Sequence, residues 1–208
     1  MMLKNTLFAL VLLASGKVMA KSGYYDSMSL SFGMVNHSVT ENESTLTKTD
    51  NTETSANGTK EAAKAVSAIS LNANYEFLPT QKRTYFVQAN VPMLTTGGAG
   101  VFLLGGGVNW YLSDLATKYS YESHGSTIEI VPQLKYYWGF NTGIGYLVYN
   151  TESSKKTDLF FDLGLHGGGA YAFSPARSLK MELGLARSTG VATTGFKINI
   201  FFGVVQYL

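Results

Sequence analysis

The side chains with chemical potential in this chain are three histidines, a scatter of carboxylates and a few amines. His37 is followed by Ser38, with Glu41 and Glu43 close behind. Nucleophilic catalysis needs a hydroxyl, a base and an orienting carboxylate within hydrogen-bond reach. Neighbours on an extended segment point to opposite faces, so His37 turns away from Ser38 and the pair is a poor hydrolase. His124 falls in a turn-rich stretch. His166 sits in an apolar–polar alternation and reads as a packing residue bonded to Asp162 or to a nearby amide. No histidines or carboxylates have the spacing of metal ligands, and neither a metal nor another cofactor is expected. Gly105-Gly106-Gly107 and Gly167-Gly168-Gly169 do not run from a strand into a helix, so they lack the helix N-terminus that makes a glycine loop a phosphate site. Cysteine is absent, which removes thiolate chemistry and disulfides. An enzyme is not expected.

What remains is electrostatic. Glu76, Lys135, Asp162, His166, Lys180, Glu182 and Lys197 each occupy the polar slot of a segment that alternates with period two. Their role depends on what those segments build.

Only 14% of residues are charged while 13% are aromatic, and Gly numbers 22. A soluble globular chain carries roughly 25% charge. The net charge of +2 is too small to suggest a nucleic-acid partner. The chain opens with Lys4, an apolar run from Leu7 to Ala14 and small residues before Val18-Met19-Ala20, a secretory signal over residues 1–20 with cleavage after Ala20. Beyond it, no apolar run approaches the roughly 20 residues a membrane helix needs. If residues 21–208 span a membrane they must do so as a closed sheet, since only helices and barrels satisfy their backbone in lipid.

Eight segments alternate. They are 27–35, 66–77, 84–93, 101–112, 134–149, 158–173, 179–187 and 195–208. The last shows the pattern best: Phe196, Ile198, Ile200, Phe202 and Val204 share one face, Lys197, Asn199, Phe201 and Gly203 the other. Segment 127–133 extends the fifth strand inward, with Pro132 marking an edge or bulge. The expected fold is all-β, an eight-stranded antiparallel transmembrane β-barrel. Residues 78–83 and 174–178 form short Pro-containing turns on the periplasmic side, where 113–126 makes a longer one. The outer connections are 36–65, 94–100, 150–157 and 188–194. The core of the first, Thr40 to Lys60, is nearly all Thr, Asn, Glu, Ser and Lys and cannot bury enough apolar surface to fold alone. It reads as a mobile extracellular loop. Outward Tyr75, Phe77, Tyr85, Trp110, Tyr136, Trp138, Tyr171 and Phe173 fall near the periplasmic ends of their strands, where an aromatic girdle belongs.

The signal, the strand count, the loop asymmetry and the terminal strand resemble the small eight-stranded bacterial outer-membrane barrels, such as the transmembrane domain of OmpA, OmpX and the OmpW-like proteins. The resemblance is architectural and implies residence in a Gram-negative outer membrane as a monomer, with the barrel assembly machinery as partner during insertion. Many barrels of that family end in Phe or Trp, which that machinery reads. This chain ends Gln206-Tyr207-Leu208.

An eight-stranded barrel is just wide enough inside for side chains to fill it. The charged residues above then face the lumen, where opposite charges must pair. Two readings follow: a plug of ion pairs and hydrogen bonds, or a gate in which Glu76 exchanges between Lys180 and Lys135. The inward glycines leave room for rings such as Tyr111, Tyr137 and Phe201, or else a water path. Arg187 and Lys155-Lys156 are placed at the outer rim, within reach of lipopolysaccharide phosphates. The function expected is a non-enzymatic structural or surface-contact barrel, with a narrow solute channel as the alternative and a lipid-modifying enzyme as the third possibility.

Overall fold

The computed structural model describes residues 23–41, 64–95, 98–150 and 155–208. The signal segment and most of the long first loop therefore lie outside the described residues. Eight long strands build the barrel: β2 (Ser27–Glu41), β3 (Lys64–Phe77), β4 (Arg83–Thr95), β5 (Gly100–Tyr111), β8 (Leu134–Asn150), β9 (Lys155–Ser174), β10 (Arg177–Gly190) and β11 (Thr193–Tyr207). Three short ones, β1 (Gly23–Tyr24), β6 (Tyr119–Ser123) and β7 (Ser126–Ile130), form a small separate sheet in the order β1-β6-β7.

The long strands close in the order β10-β11-β2-β3-β4-β5-β8-β9, with β9 returning to β10. Every neighbouring pair is antiparallel. The seam between the first and last long strands runs from Tyr207 opposite Ser27 to Thr193 opposite Glu41. Closure leaves the barrel no open edge, so each of its eight strands finds a hydrogen-bonding neighbour on both sides.

The alternation sets which face is which. Phe32, Leu104, Ile144, Leu165 and Phe202 stand 54%, 70%, 67%, 60% and 56% exposed on the outside. Their sequence neighbours Ser31, Leu103, Gly143, Gly164 and Phe201 face inward. A continuous outer belt of large apolar side chains is not stable against water, where exposed patches rarely exceed a few hundred Å². It is stable against lipid. A slip of one residue in register would turn this belt into the lumen, so the belt also fixes the register. At one end the belt becomes aromatic. Trp110 stacks on its register partner Trp138 at 4.7 Å, and Phe77 lies 6.1 Å from Tyr75 and 6.3 Å from Tyr85. Rings with a polar tip suit the boundary of a bilayer.

Three expectations about connections are corrected. Residues 188–194 are not a loop: β10 continues to Gly190 and β11 begins at Thr193, leaving Val191 and Ala192 as the turn. Ser188 and Thr193 of this stretch point into the lumen, where they hydrogen-bond buried carboxylates. Likewise β2 runs on to Glu41 and β3 starts at Lys64, so the first connection narrows to 42–63. Third, 113–126 is not a plain turn and 127–133 does not extend β8. Tyr119–Ser123 and Ser126–Ile130 pair as a hairpin, and β6 takes β1 on its other side. His124 (φ 51°) and Gly125 (φ 77°) form its tip. Two successive positive φ values are the signature of the tight turn whose twist matches a β-hairpin.

Candidate functional site: the barrel lumen

Backbone lies across the end of the lumen where the Leu208 amide bonds the Asp26 carbonyl at 3.0 Å. Residues after β5 fold into the mouth. Ala116 and Thr117 are fully buried, with Tyr25 and Lys118 nearly so. Thr117 Oγ1 donates to the Tyr25 carbonyl at 2.8 Å, the Tyr25 amide donates to the Lys118 carbonyl at 3.0 Å, and the Ala116 amide donates to the Gln81 carbonyl at 2.7 Å. The Lys118 ammonium lies 4.7 Å from the centre of the Tyr25 ring and pairs with Glu129 of β7 at 2.7 Å. The short sheet and this segment are therefore one cap.

Lys135, the inward residue at the start of β8, meets the cap. Its ammonium donates to the Ala116 carbonyl at 3.0 Å and lies 5.2 and 5.0 Å from the ring centres of Tyr111 and Tyr207. Ring faces are negative, so two of them and a carbonyl stabilise a buried cation without a carboxylate. Glu76 is not bonded to it. Its carboxylate accepts the hydroxyls of Tyr111 at 2.6 Å and Thr84 at 2.9 Å. The pairing of Glu76 with Lys180 or Lys135 expected from the sequence is thus replaced by hydroxyl donors. Lys180 instead pairs with Glu182 at 3.0 Å, two residues along the same strand, and lies 5.3 Å from the Tyr137 ring centre. The Tyr137 hydroxyl donates to the same Glu182 oxygen at 2.7 Å. His166 Nε2 lies 2.6 Å from Asn109 Oδ1, so its partner is a neighbouring amide and not Asp162. Its ring is held edge-on to Phe86 at 5.3 Å.

The other half of the lumen mixes apolar packing with one ion pair. Val35, Val101, Leu103, Leu147, Phe160 and Phe201 form a buried cluster. Asp162, fully buried, accepts from Lys197 and from Ser188 Oγ, the latter at 2.7 Å. Asp158 accepts from Thr193 Oγ1 at 2.7 Å and from the Ala192 amide at 3.1 Å, fastening the last turn. Between the two halves lies a cavity of about 20 Å³ with Asn72, Gln88, Asn90 and Asn141 in its lining. That is room for one or two water molecules, not for a solute.

Some of the inward glycines are seats for rings. A Cβ on Gly145 would overlap the Phe160 ring, one on Gly168 would stand 2.7 Å from the Tyr137 hydroxyl, and one on Gly107 would stand 2.9 Å from the Phe86 ring. Packing against these rings accounts for those three.

His37 is buried at 2% exposure, its ring 5.4 Å from that of Phe160. Ser38 is exposed on the other face and its hydroxyl bonds the Phe196 carbonyl at 3.2 Å. The two side chains do not meet. Among the described residues no group of three His, Asp or Glu could hold a metal.

Of the seven residues picked out in the sequence, Glu76, Lys135, Asp162, Lys180, Glu182 and Lys197 are buried on the inner face and His166 partly so, and the fold joins four of them into two ion pairs. Sequence reasoning passed over the tyrosines as ligands: Tyr111, Tyr137 and Tyr207 hold Glu76, Glu182 and Lys135. Their inward parity was visible, but their partners lie on other strands. The cap was missed as well, though the His-Gly pair between two β-rich runs marked its turn.

No family model and no curated protein matches the chain. Among solved structures it is similar to Neisserial surface protein A, at 10% identity and a TM-score of 0.49, over 87% of this chain and 97% of that one. It is also similar to the N-terminal β-barrel domain of Pseudomonas aeruginosa OprF, at 9% identity and 0.44, over 88% and 99%. A third is Ail, the attachment invasion locus protein of Yersinia pestis, at 13% identity and 0.38, over 89% and 99%.

Proposed function

We propose that this chain is a monomeric, non-enzymatic barrel of the bacterial outer membrane, with a structural or surface-contact role and a lumen closed by its own side chains. The observation that carries the reading is the double closure. The cap at Ala116 is locked to Lys135, and beyond the cavity of about 20 Å³ stands the apolar cluster around Leu103 and Phe201. Charge pairs inside such a lumen stabilise the wall and need not move. The separation of His37 from Ser38 supports a role without acyl transfer. With transport and catalysis disfavoured, the outer connections are where a partner is met, the 42–63 segment first among them. The exposed Arg187 and Lys155 suit contact with lipopolysaccharide phosphates.

The test is single-channel recording of the folded chain in a planar bilayer, with insertion verified independently. Silence is expected. Discrete current steps that change on substituting Glu76 or Lys180 would overturn the plug and make the chain a narrow channel.

A further inference from the structure

The lipid-facing wall carries a groove that closure of the lumen does not explain. It measures about 470 Å³, within the roughly 300–1,000 Å³ typical of small-molecule sites. Its walls are Tyr136 of β8, Leu179, Met181 and Leu183 of β10, and Phe202 of β11. Its floor is the outward pair Gly167 and Gly169 of β9. The lining is almost wholly apolar; the charged residue in it, Lys180, is buried and paired with Glu182 on the lumen side.

Packing within the chain does not demand that floor. A Cβ on Gly167 would come no closer than 3.4 Å to any neighbour, the Tyr137 carbonyl oxygen, and one on Gly169 no closer than 3.2 Å, to the exposed Tyr136 ring. Gly168 between them differs, because its inward Cβ would strike the Tyr137 hydroxyl and the Met181 carbonyl. Glycine inside a strand weakens it and marks a bulge, a bend or the close approach of a ligand; the register runs unbroken through Gly167 and Gly169, so no bulge lies there.

One exposed cation, Arg177, stands in line with the groove. The outward stripe of β10 runs Arg177, Leu179, Met181, Leu183, which places Arg177 about 7 Å along the strand from Leu179. It is exposed, at the aromatic end of the belt, and its Nε donates to Gln206 Oε1 at 2.9 Å. A guanidinium carries five donors, so this bond leaves it able to grip a phosphate. Leu179 also stands opposite Tyr171, which places that phenol beside the same end of the groove.

We propose that this groove binds one phospholipid of the leaflet on the side of the chain termini, with an acyl chain over Gly167 and Gly169 and the phosphate on Arg177. The inference rests on the membrane reading above. The groove opens onto the apolar belt that lipid already covers, and its charged neighbour sits at the level of the girdle, the height of a phosphate. A second copy of the chain would have to bring a ridge to fill the groove and would leave Arg177 without an anion.

The test begins with the chain expressed with its own N-terminal segment and extracted from membranes in mild detergent. It is reconstituted into vesicles of phosphatidylcholine and phosphatidylglycerol, extracted again and weighed intact by native mass spectrometry. Compact mobility on unboiled gels reports folding, and flotation with the vesicles reports insertion. One retained phosphatidylglycerol per barrel is expected. Gly167→Leu, and Leu183→Trp as a second filling variant, should abolish it, and Arg177→Gln should lower its occupancy about tenfold. A folded, inserted barrel that retains no lipid overturns the site and leaves the membrane reading intact. A barrel that does not float with the vesicles overturns both. A dimer mass lost in Gly167→Leu overturns the lipid in favour of a second copy.

Discussion

Asp162 on β9 and Lys197 on β11 pair inside the barrel across the intervening strand β10, which adds the Ser188 hydroxyl to the same carboxylate. Three consecutive strands are thereby tied at one level of the lumen. Removing one partner of a buried ion pair leaves an uncompensated charge and costs about 3–5 kcal/mol, whereas replacing both by apolar groups is close to neutral. Asp162→Asn and Lys197→Met should each lower the urea midpoint of unfolding from lipid vesicles markedly. The Asp162→Leu, Lys197→Met double variant should unfold closer to the parent than either single change. A double variant that is the sum of the two losses would show that the residues act independently.

Neighbouring glycines should answer differently to the same substitution. At Gly168 a methyl group meets the Tyr137 hydroxyl and disturbs its bond to Glu182. Overpacking of this kind costs about 1–3 kcal/mol. At Gly167 the methyl group faces the groove, so Gly167→Ala should lie within about 0.5 kcal/mol of the parent. Equilibrium unfolding of the two variants in one lipid distinguishes them. Equal losses would contradict the assignment of faces along β9.

The two closures proposed above would act in series, so neither alone should open the lumen. Lys135→Met removes the bond to the Ala116 carbonyl and loosens the cap. Leu103→Ala with Phe201→Ala thins the apolar cluster at the far wall of the cavity. Each change on its own should leave a planar bilayer silent, and the three together should admit small ions. Current from Lys135→Met alone would mean that the cap is the single barrier.

The hairpin tip is held by two positive φ values, and Gly125 at 77° takes the one that a side chain resists. Gly125→Val should destabilise the hairpin by about 1 kcal/mol or more without touching the barrel. Hydrogen exchange should then quicken in β6 and β7 while β8 and β9 stay protected. Uniform loosening would show that the cap and the barrel fold as one unit.

The sequence by itself determined the barrel wall. A side chain in a strand points in or out by its parity alone, so the alternation in 195–208 or 158–173 already states which residues meet lipid and which fill the interior. That is why the sequence alone assigns Glu76, Lys135, Asp162, His166, Lys180, Glu182 and Lys197 to the inward face. Their partners were another matter. Glu76 bonds Thr84 on the next strand and Tyr111 on the one after, Lys135 bonds a backbone carbonyl of the cap, and Lys197 reaches Asp162 across β10. Such contacts depend on the height of each residue in a closed cylinder, which is set by register around the whole circumference. Parity carries no information about height. The same limit hid the turn at Val191-Ala192, because Ser188 and Thr193 look like loop residues until the carboxylates they bond are brought opposite them. It hid the groove at Gly167 too, since a missing side chain becomes a site only when Tyr136, Leu179 and Phe202, from three other strands, are raised around it.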